Sequence, residues 1–491
     1  MLFNSVEFLI FLPLVFIAYW FIVSKNLKLQ NLFLIIVSYF FYGWWDWRFL
    51  SLIFASSLLD YSIGLAMGKT EDKKKRKLYL WASMLFNLGM LGFFKYYNFF
   101  TDSFIDLLNT FAGPGTYENS LSLKIILPVG ISFYTFQTMS YTIDIYRKKL
   151  EPTKDILSFF AFVSFFPQLV AGPIERATNL LPQFYKKRGF DYAKAVDGSR
   201  QILWGFFKKV VIADNCASYV NEIFQMHETL PGFVLLIGIL LFCVQIYCDF
   251  SGYSDIAIGT ARLFGFNLLA NFKTPYFATS IADLWRRWHI SLSVWANEYI
   301  FFPLTSYFKK YKKLAIYLSL VVTFTLIGFW HGANWTFVFF GLWHGIVSCI
   351  EYFTQKKRRQ TSKKIGAKLF NFLGWIVTMI VWIIGMIMFR ADTIADAWLY
   401  FRRLITPTGW YTDDFLYLDD FKLADFSYDL NYLLAAFIFI LFLGDWISRK
   451  KEHGLGIISR YKPVRWLIYF AIILFVGFYF GQEVDFIYFQ F

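Results

Sequence analysis

The sequence predicts an all-α, polytopic membrane protein with about 11–12 transmembrane helices plus re-entrant or interfacial pieces. Three observations predict it. Hydrophobic residues make up 57% of the 491 and charged residues 17%, where soluble domains run near 45–50% and about 25%. Runs of 16–22 apolar residues recur from end to end, and about 20 residues rising 1.5 Å each cross a hydrocarbon core. The basic residues fall between those runs and not across the chain at large. A soluble globule could not hide this much apolar surface, and 23% of all residues are aromatic. Disorder needs little hydrophobicity, and a collagen-like fibre needs a glycine repeat, so both are excluded.

In chain order the apolar runs are 5–23, 29–45, 49–67, 78–94, 125–146, 230–250, 314–330, 335–350, 369–389, 430–446 and 466–481. The first is expected to stay as the first span: Glu7 stands at its start, no Lys or Arg precedes it, and no small-residue cleavage site follows. Segment 156–171 holds Pro167 and has basic residues on both sides, so a half-helix or re-entrant hairpin is expected there. Segment 276–304 is long but carries charges. The net charge of +14 would suggest nucleic acid in a soluble protein. Here it reads as basic cytoplasmic loops that fix orientation, with no nucleic-acid partner. Those loops are 69–77, 147–149, 186–188, 309–313, 356–368 and 449–451. Placing them in the cytoplasm puts the N-terminus outside, together with segment 391–429, which holds eight Asp. No repeat or linker appears, and the whole of 1–491 is expected to form one membrane domain.

Polar residues inside apolar runs carry the functional signal, because a charge at a helix centre costs about 2.5–3.5 kcal/mol and needs a partner or a cavity. Asp60, Lys95, Asp144, Asp249, Asp255, Arg262 and Asp283 are of this kind. Each alone reads best as a structural ion pair; together they indicate a polar interior, compatible with a channel, a transporter or an intramembrane enzyme. Of the five His, His227 and His453 read as solvated and His344 as packing. His331 stands in Trp330-His331-Gly332-Ala333-Asn334-Trp335, a break between two short apolar runs whose outer flanks are both basic. It therefore lies at the far end of a span, where a neutral imidazole can accept a proton; a hydrogen-bonded core histidine is the blander reading. His289 stands in Trp285-Arg286-Arg287-Trp288-His289. Its two arginines suit phosphate or carboxylate, or anchor a helix at the interface. The four Cys form no C-x-x-C pair, and neither metal-ligand spacing, a phosphate loop nor a G-x-S-x-G elbow occurs.

The ordered motifs resemble the membrane-bound O-acyltransferases, in the bacterial branch that contains the alginate O-acetylation and teichoic-acid D-alanylation membrane proteins. The resemblance covers nearly the whole chain. It rests on Leu2-Phe-Asn-Ser-Val-Glu-Phe8, Phe40-Phe-Tyr-Gly-Trp-Trp45, Pro128-Val-Gly-Ile-Ser-Phe-Tyr-Thr-Phe-Gln137 and Phe165-Phe-Pro-Gln-Leu-Val-Ala-Gly-Pro-Ile174. It continues through Asp249-Phe-Ser-Gly-Tyr-Ser-Asp255 and the two histidine segments to the ending Phe486-Ile-Tyr-Phe-Gln-Phe491, typical of the alginate-type subgroup. What it implies is a ring of helices around a thin central tunnel or funnel, in which a cytoplasmic thioester donor meets an acceptor from the other side. His331 takes the family's catalytic histidine position and His289 its second polar position, where many eukaryotic members have Asn or Asp. Arg286 and Arg287 are candidates for the donor's phosphates, and Asn334 or a backbone N–H after the break for the oxyanion. Trp288, Trp330 and Trp335, which flank these residues, complete the candidate donor- and substrate-binding set.

The resemblance further implies acetyl-CoA, or another acyl thioester, as co-substrate with no bound cofactor or metal. It implies a bacterial cytoplasmic (inner) membrane, O-acetylation of a cell-surface polysaccharide, and an extracytoplasmic SGNH-type acyltransferase as partner. Segment 391–429 is the candidate docking surface for that partner, against the blander reading of a solvated outer loop. Two other assignments stay open at this point. One is a D-alanyl transferase fed by a carrier protein; the other, of a different class, is a polytopic transporter or flippase.

Overall fold

The computed structural model describes residues 1–113, 115–170, 172–406, 428–457, 461–481 and 486–487; among these every regular element is helical. The protein is a multi-pass, all-α membrane protein. Seven described helical segments are long and apolar enough to cross a membrane. One of them, Leu27–Gly68, is two helices, because Asp46 interrupts it: its carboxylate caps the turn Trp47–Phe49 and pairs with Arg48. With the shorter Val6–Ile22 and Tyr432–Ser448, the described apolar helices number ten, against the 11–12 expected. The difference lies largely in run 125–146. Its helix is only Ile131–Tyr146, begun by Gly130 at φ 74°, and nearly every side chain on it is buried in protein. Hydropathy alone cannot tell a helix buried among other helices from one that faces lipid.

The chain divides into two compact units, Met1–Val196 with Thr260–Leu269, and Asp197–Gly259 with Ala270–Phe491. In the first, Ser5 and Asn26 cap the two opening helices through their side-chain oxygens. Segment 156–171 does not span: Ile156–Ser164 and Phe166–Leu169 are a broken half-helix, buried throughout its second half. The break is satisfied by Ser38, whose Oγ accepts the Phe166 N–H at 3.0 Å. The basic loop 69–77 is not wholly solvated. Arg76 is buried and donates to the carbonyls of Met67 and Ile145, at 2.6 Å each, tying together the ends of Leu50–Gly68 and Ile131–Tyr146.

The second unit is organised by residues 232–259 of the 32-residue helix Gly232–Leu263, which carry Asp249 and Asp255. Their partners come from Phe207–Ala213, which winds as a π-helix. Consecutive residues of an α-helix point about 100° apart, whereas the wider π turn lets Lys208 and Lys209 both face inward. Lys208 meets Asp255 at 2.6 Å, and Lys209 meets Asp214 and Asp249 at 2.8 Å each. All five groups are buried, so removing one ammonium strands carboxylates in low dielectric, at a cost of about 3–5 kcal/mol. The expectation of solvated His453 is corrected here: the ring is buried, its Nε2 3.1 Å from Asp197. His227 is likewise largely covered, its Nδ1 2.7 Å from the Phe224 carbonyl oxygen.

Candidate active site

Two breaks in helical structure, both in the second unit, bring His289 and His331 together. The helix Lys313–His331 ends on His331, and Gly332 is extended. A Cβ on Gly332 would stand 2.1 Å from the Phe337 ring, so only glycine lets the chain turn here under that side chain. Asn334 then caps Trp335–Ile365: its Oδ1 accepts from Thr336 N–H at 3.0 Å, and its Nδ2 donates to the Asp392 carbonyl at 2.8 Å. The two helices run back to back at very short range. A Cβ on Gly328 would lie 2.2 Å from the Phe337 carbonyl oxygen, and close approach of this kind is how membrane helices pack without a hydrophobic drive.

His289 is held by a tighter device. It sits in the left-handed region at φ 42°, ψ 56°, directly before the helix Ile290–Ala296. A non-glycine residue there stores strain of order 1–3 kcal/mol, which persists only where neighbours over-determine it. The neighbours are on hand: Ile290 N–H donates to the Asn271 carbonyl and Lys273 N–H to the Arg287 carbonyl, both at 2.9 Å. The Asn271 side chain bonds Ser291 at 2.6 Å and Ser254 at 3.1 Å. The Phe250 ring then meets the imidazole edge-on at 4.6 Å, and Phe250 adjoins Asp249 of the buried ionic network.

The two imidazole centroids are 6.2 Å apart, and both residues are buried. Aromatic rings enclose the pair. Trp330 lies 5.8 Å from His289 and 5.0 Å from His331, and Phe389 lies 5.3 Å from His331. Trp288 is buried against Trp382 at 4.6 Å and forms the adjoining wall. Trp335, at the start of its helix, is half exposed. His344 packs among Phe340, Trp285 and Trp382 at 4.8–5.7 Å, in line with its expected packing role.

A cavity of about 800 Å³ approaches this pair, within the usual range for small-molecule sites. Its inner wall includes Ile327, one turn before His331, and Ser293, one turn after His289. Phe301, Leu320 and Phe324 line its middle, and Arg286, Arg358, Arg359 and Lys363 its other end. That end is basic because Trp335–Ile365 has 31 residues, about 46 Å, and so outruns an apolar core of about 30 Å. Glu351 braces the same region, accepting from Ile281 N–H at 2.8 Å and pairing with Arg358 at 3.0 Å. The arginine pair divides. Both reach Asp283, Arg287 at 3.0 Å and Arg286 at 3.8 Å, but only Arg286 lines the cavity, with a largely exposed side chain. The cavity arginines Arg358 and Arg359 were not among the expected site residues; their only signal, the basic run 356–368, is explained equally well by orientation.

Two buried histidines enclosed by aromatic rings thus lie one helical turn beyond the inner wall of a basic-mouthed cavity. Residues 7–393 match the membrane-bound O-acyltransferase family. The chain belongs to that family. The probable alginate O-acetylase of Pseudomonas aeruginosa is 36% identical over 412 residues, covering 84% of this chain and 76% of that protein. The peptidoglycan O-acetyltransferase of Helicobacter pylori is 34% identical over 438 residues, covering 83% and 80%. The teichoic acid D-alanyltransferase of Bacillus subtilis is 28% identical over 220 residues, covering 43% and 55%. This membrane-bound O-acyltransferase is therefore an acyl-transferring enzyme embedded in a bilayer, of the alginate O-acetylase type.

Proposed function

We propose that this acyltransferase moves acetyl groups from cytoplasmic acetyl-CoA to the outer side of a bacterial cytoplasmic membrane, for O-acetylation of a cell-surface polysaccharide. The observation that carries the reading is the cavity whose basic end suits a phosphate-bearing donor and whose inner wall lies one turn from both histidines. Arginine is the side chain best matched to phosphate geometry, and Arg286, Arg358 and Arg359 stand at that mouth. In this reading the basic loops are cytoplasmic and the N-terminus is outside.

His331 acts as general base. It takes the proton of the attacking hydroxyl as the oxygen bonds to the thioester carbonyl carbon; the C–S bond then breaks, and the sulfur leaves with that proton. General-base help of this kind is worth roughly 10²–10⁴ in rate. His289, fixed by its strained backbone, orients the reacting groups beside it. The side chain of Asn334 is engaged in capping on both of its ends, so a backbone N–H beyond His331 is the better oxyanion donor in this mechanism. The acceptor hydroxyl arrives from outside, and an SGNH-type acyltransferase completes delivery to the polymer. The expected docking segment, 391–429, lies mostly outside the described residues; of it, helix Ile394–Ile405 is described.

The test is donor competition. Inverted membrane vesicles carrying the protein are given radiolabelled acetyl-CoA or a D-alanyl carrier protein, and label in the membrane and polymer fractions is counted. The reading predicts transfer from acetyl-CoA alone. Transfer only from the carrier would make the enzyme a D-alanyl transferase and overturn it.

A further inference from the structure

The first unit holds a polar cluster that acyl transfer does not use. Asp60 and Ser83 each stand at the middle of a 19-residue helix, Leu50–Gly68 and Lys73–Leu91. Both have no exposed surface. Asp60 accepts from Ser83 Oγ at 2.5 Å and from Asn87 Nδ2 at 2.8 Å. Ser83 Oγ lies 3.0 Å from Thr142 Oγ1, and Asn87 Oδ1 accepts from Ser56 at 2.8 Å and Thr138 at 3.4 Å. Six fully buried side chains from three helices thus gather oxygens within hydrogen-bond reach of one another. Ser57 and Thr135, on two of the same helices, are also fully buried, and their hydroxyls have no hydrogen-bond partner among the described residues.

Helix–helix adhesion by hydroxyl pairs would account for the Ser and Thr residues. It does not account for the carboxylate. Among the described residues no Lys, Arg or His comes within ion-pair distance of Asp60; each of its partners is neutral. In the second unit the buried carboxylates Asp249 and Asp255 each have an ammonium within 2.8 Å. An isolated charge at the centre of apolar helices is too costly to stand without a counter-charge, so the carboxyl either keeps its proton or holds a cation. Hard cations select oxygen ligands, and carboxylate, amide and hydroxyl oxygens are what this cluster offers. A single carboxylate matches a single positive charge.

We propose that Asp60, Ser56, Ser83, Asn87, Thr138 and Thr142 form a binding site for a monovalent metal cation, sodium. The ion ties Leu50–Gly68, Lys73–Leu91 and Ile131–Tyr146 together at mid-helix and supplies the charge that Asp60 lacks.

The experiment uses the full-length protein in detergent at pH 8, with its unfolding midpoint measured across a titration of NaCl, KCl or choline chloride at constant ionic strength. Sodium is expected to raise the midpoint saturably, and choline to leave it unchanged. Asp60→Asn abolishes the response; Thr138→Val, which keeps the carboxylate, shifts half-saturation to higher sodium. Should Asp60→Asn fail to fold, labelling of wild-type Asp60 by dicyclohexylcarbodiimide decides the matter, because bound sodium slows it and choline does not. Equal midpoints in all three salts, or labelling indifferent to sodium, overturns the proposal and leaves Asp60 as a buried acid that carries its own proton.

Discussion

At its mouth the cavity of the second unit is lined by long, flexible cations on the last turns of Trp335–Ile365 and by Arg286. One helical turn beyond its inner wall stand two imidazoles ringed by Trp330, Phe389 and Phe250, on backbone that only particular residues permit. The mouth attracts charge through side chains that water screens and that tolerate displacement. The inner end fixes atoms through packing, where displacements of 1 Å are felt in rate. The two ends should therefore fail differently: substitution at the mouth should change how much donor is needed, and substitution at the inner end should change the rate at saturation.

The largest effect is expected at His331. His331→Ala should lower kcat roughly 10²–10⁴-fold with the KM for acetyl-CoA little changed, read from initial rates in vesicles of matched protein content. An unchanged kcat with a raised KM would erase the distinction between the ends. Lys209→Ala comes next. It strands Asp214 and Asp249 behind Phe250, and should cost about 3–5 kcal/mol in stability, seen as a lower unfolding midpoint in detergent. Gly332→Ala sharpens the comparison, because its added methyl meets Phe337 and not the donor. It should lower kcat at least several-fold, of order 1–3 kcal/mol of misplacement, while leaving KM near wild type. The smallest effect belongs to the mouth. Arg358→Ala with Arg359→Ala should raise KM for acetyl-CoA about tenfold or less, and added salt should shrink the difference between variant and wild type.

The same contrast governs how much was legible in the sequence. Helices such as Lys313–His331 and Ala367–Arg390 follow from apolar runs whose length matches a bilayer, and their boundaries lie within a few residues of those runs. His289 and His331 stand out because one follows a pair of arginines and the other stands at a break between apolar runs, whereas His344 lies inside a run. The strap that places them together did not stand out, since it depends on Asn271 pairing with residues about twenty positions away. Arg358 and Arg359 were hidden by a sufficient alternative, as orientation already explains a basic loop. Lys208 and Lys209 were hidden by periodicity: adjacent lysines cannot share an α-helical face, and the π turn that lets them do so leaves no pattern in the sequence. Asp60 was legible as a polar residue in the wrong solvent, but its ring of hydroxyls from two other helices was not.

The most direct test of the central claim compares wild type with His331→Ala in the native host at equal membrane levels. Ester-linked acetate and D-alanine are released from the cell surface by mild base and quantified. The account predicts that the variant loses acetate and keeps D-alanine. Acetate at the wild-type level would contradict it, because the chemistry would then not pass through His331.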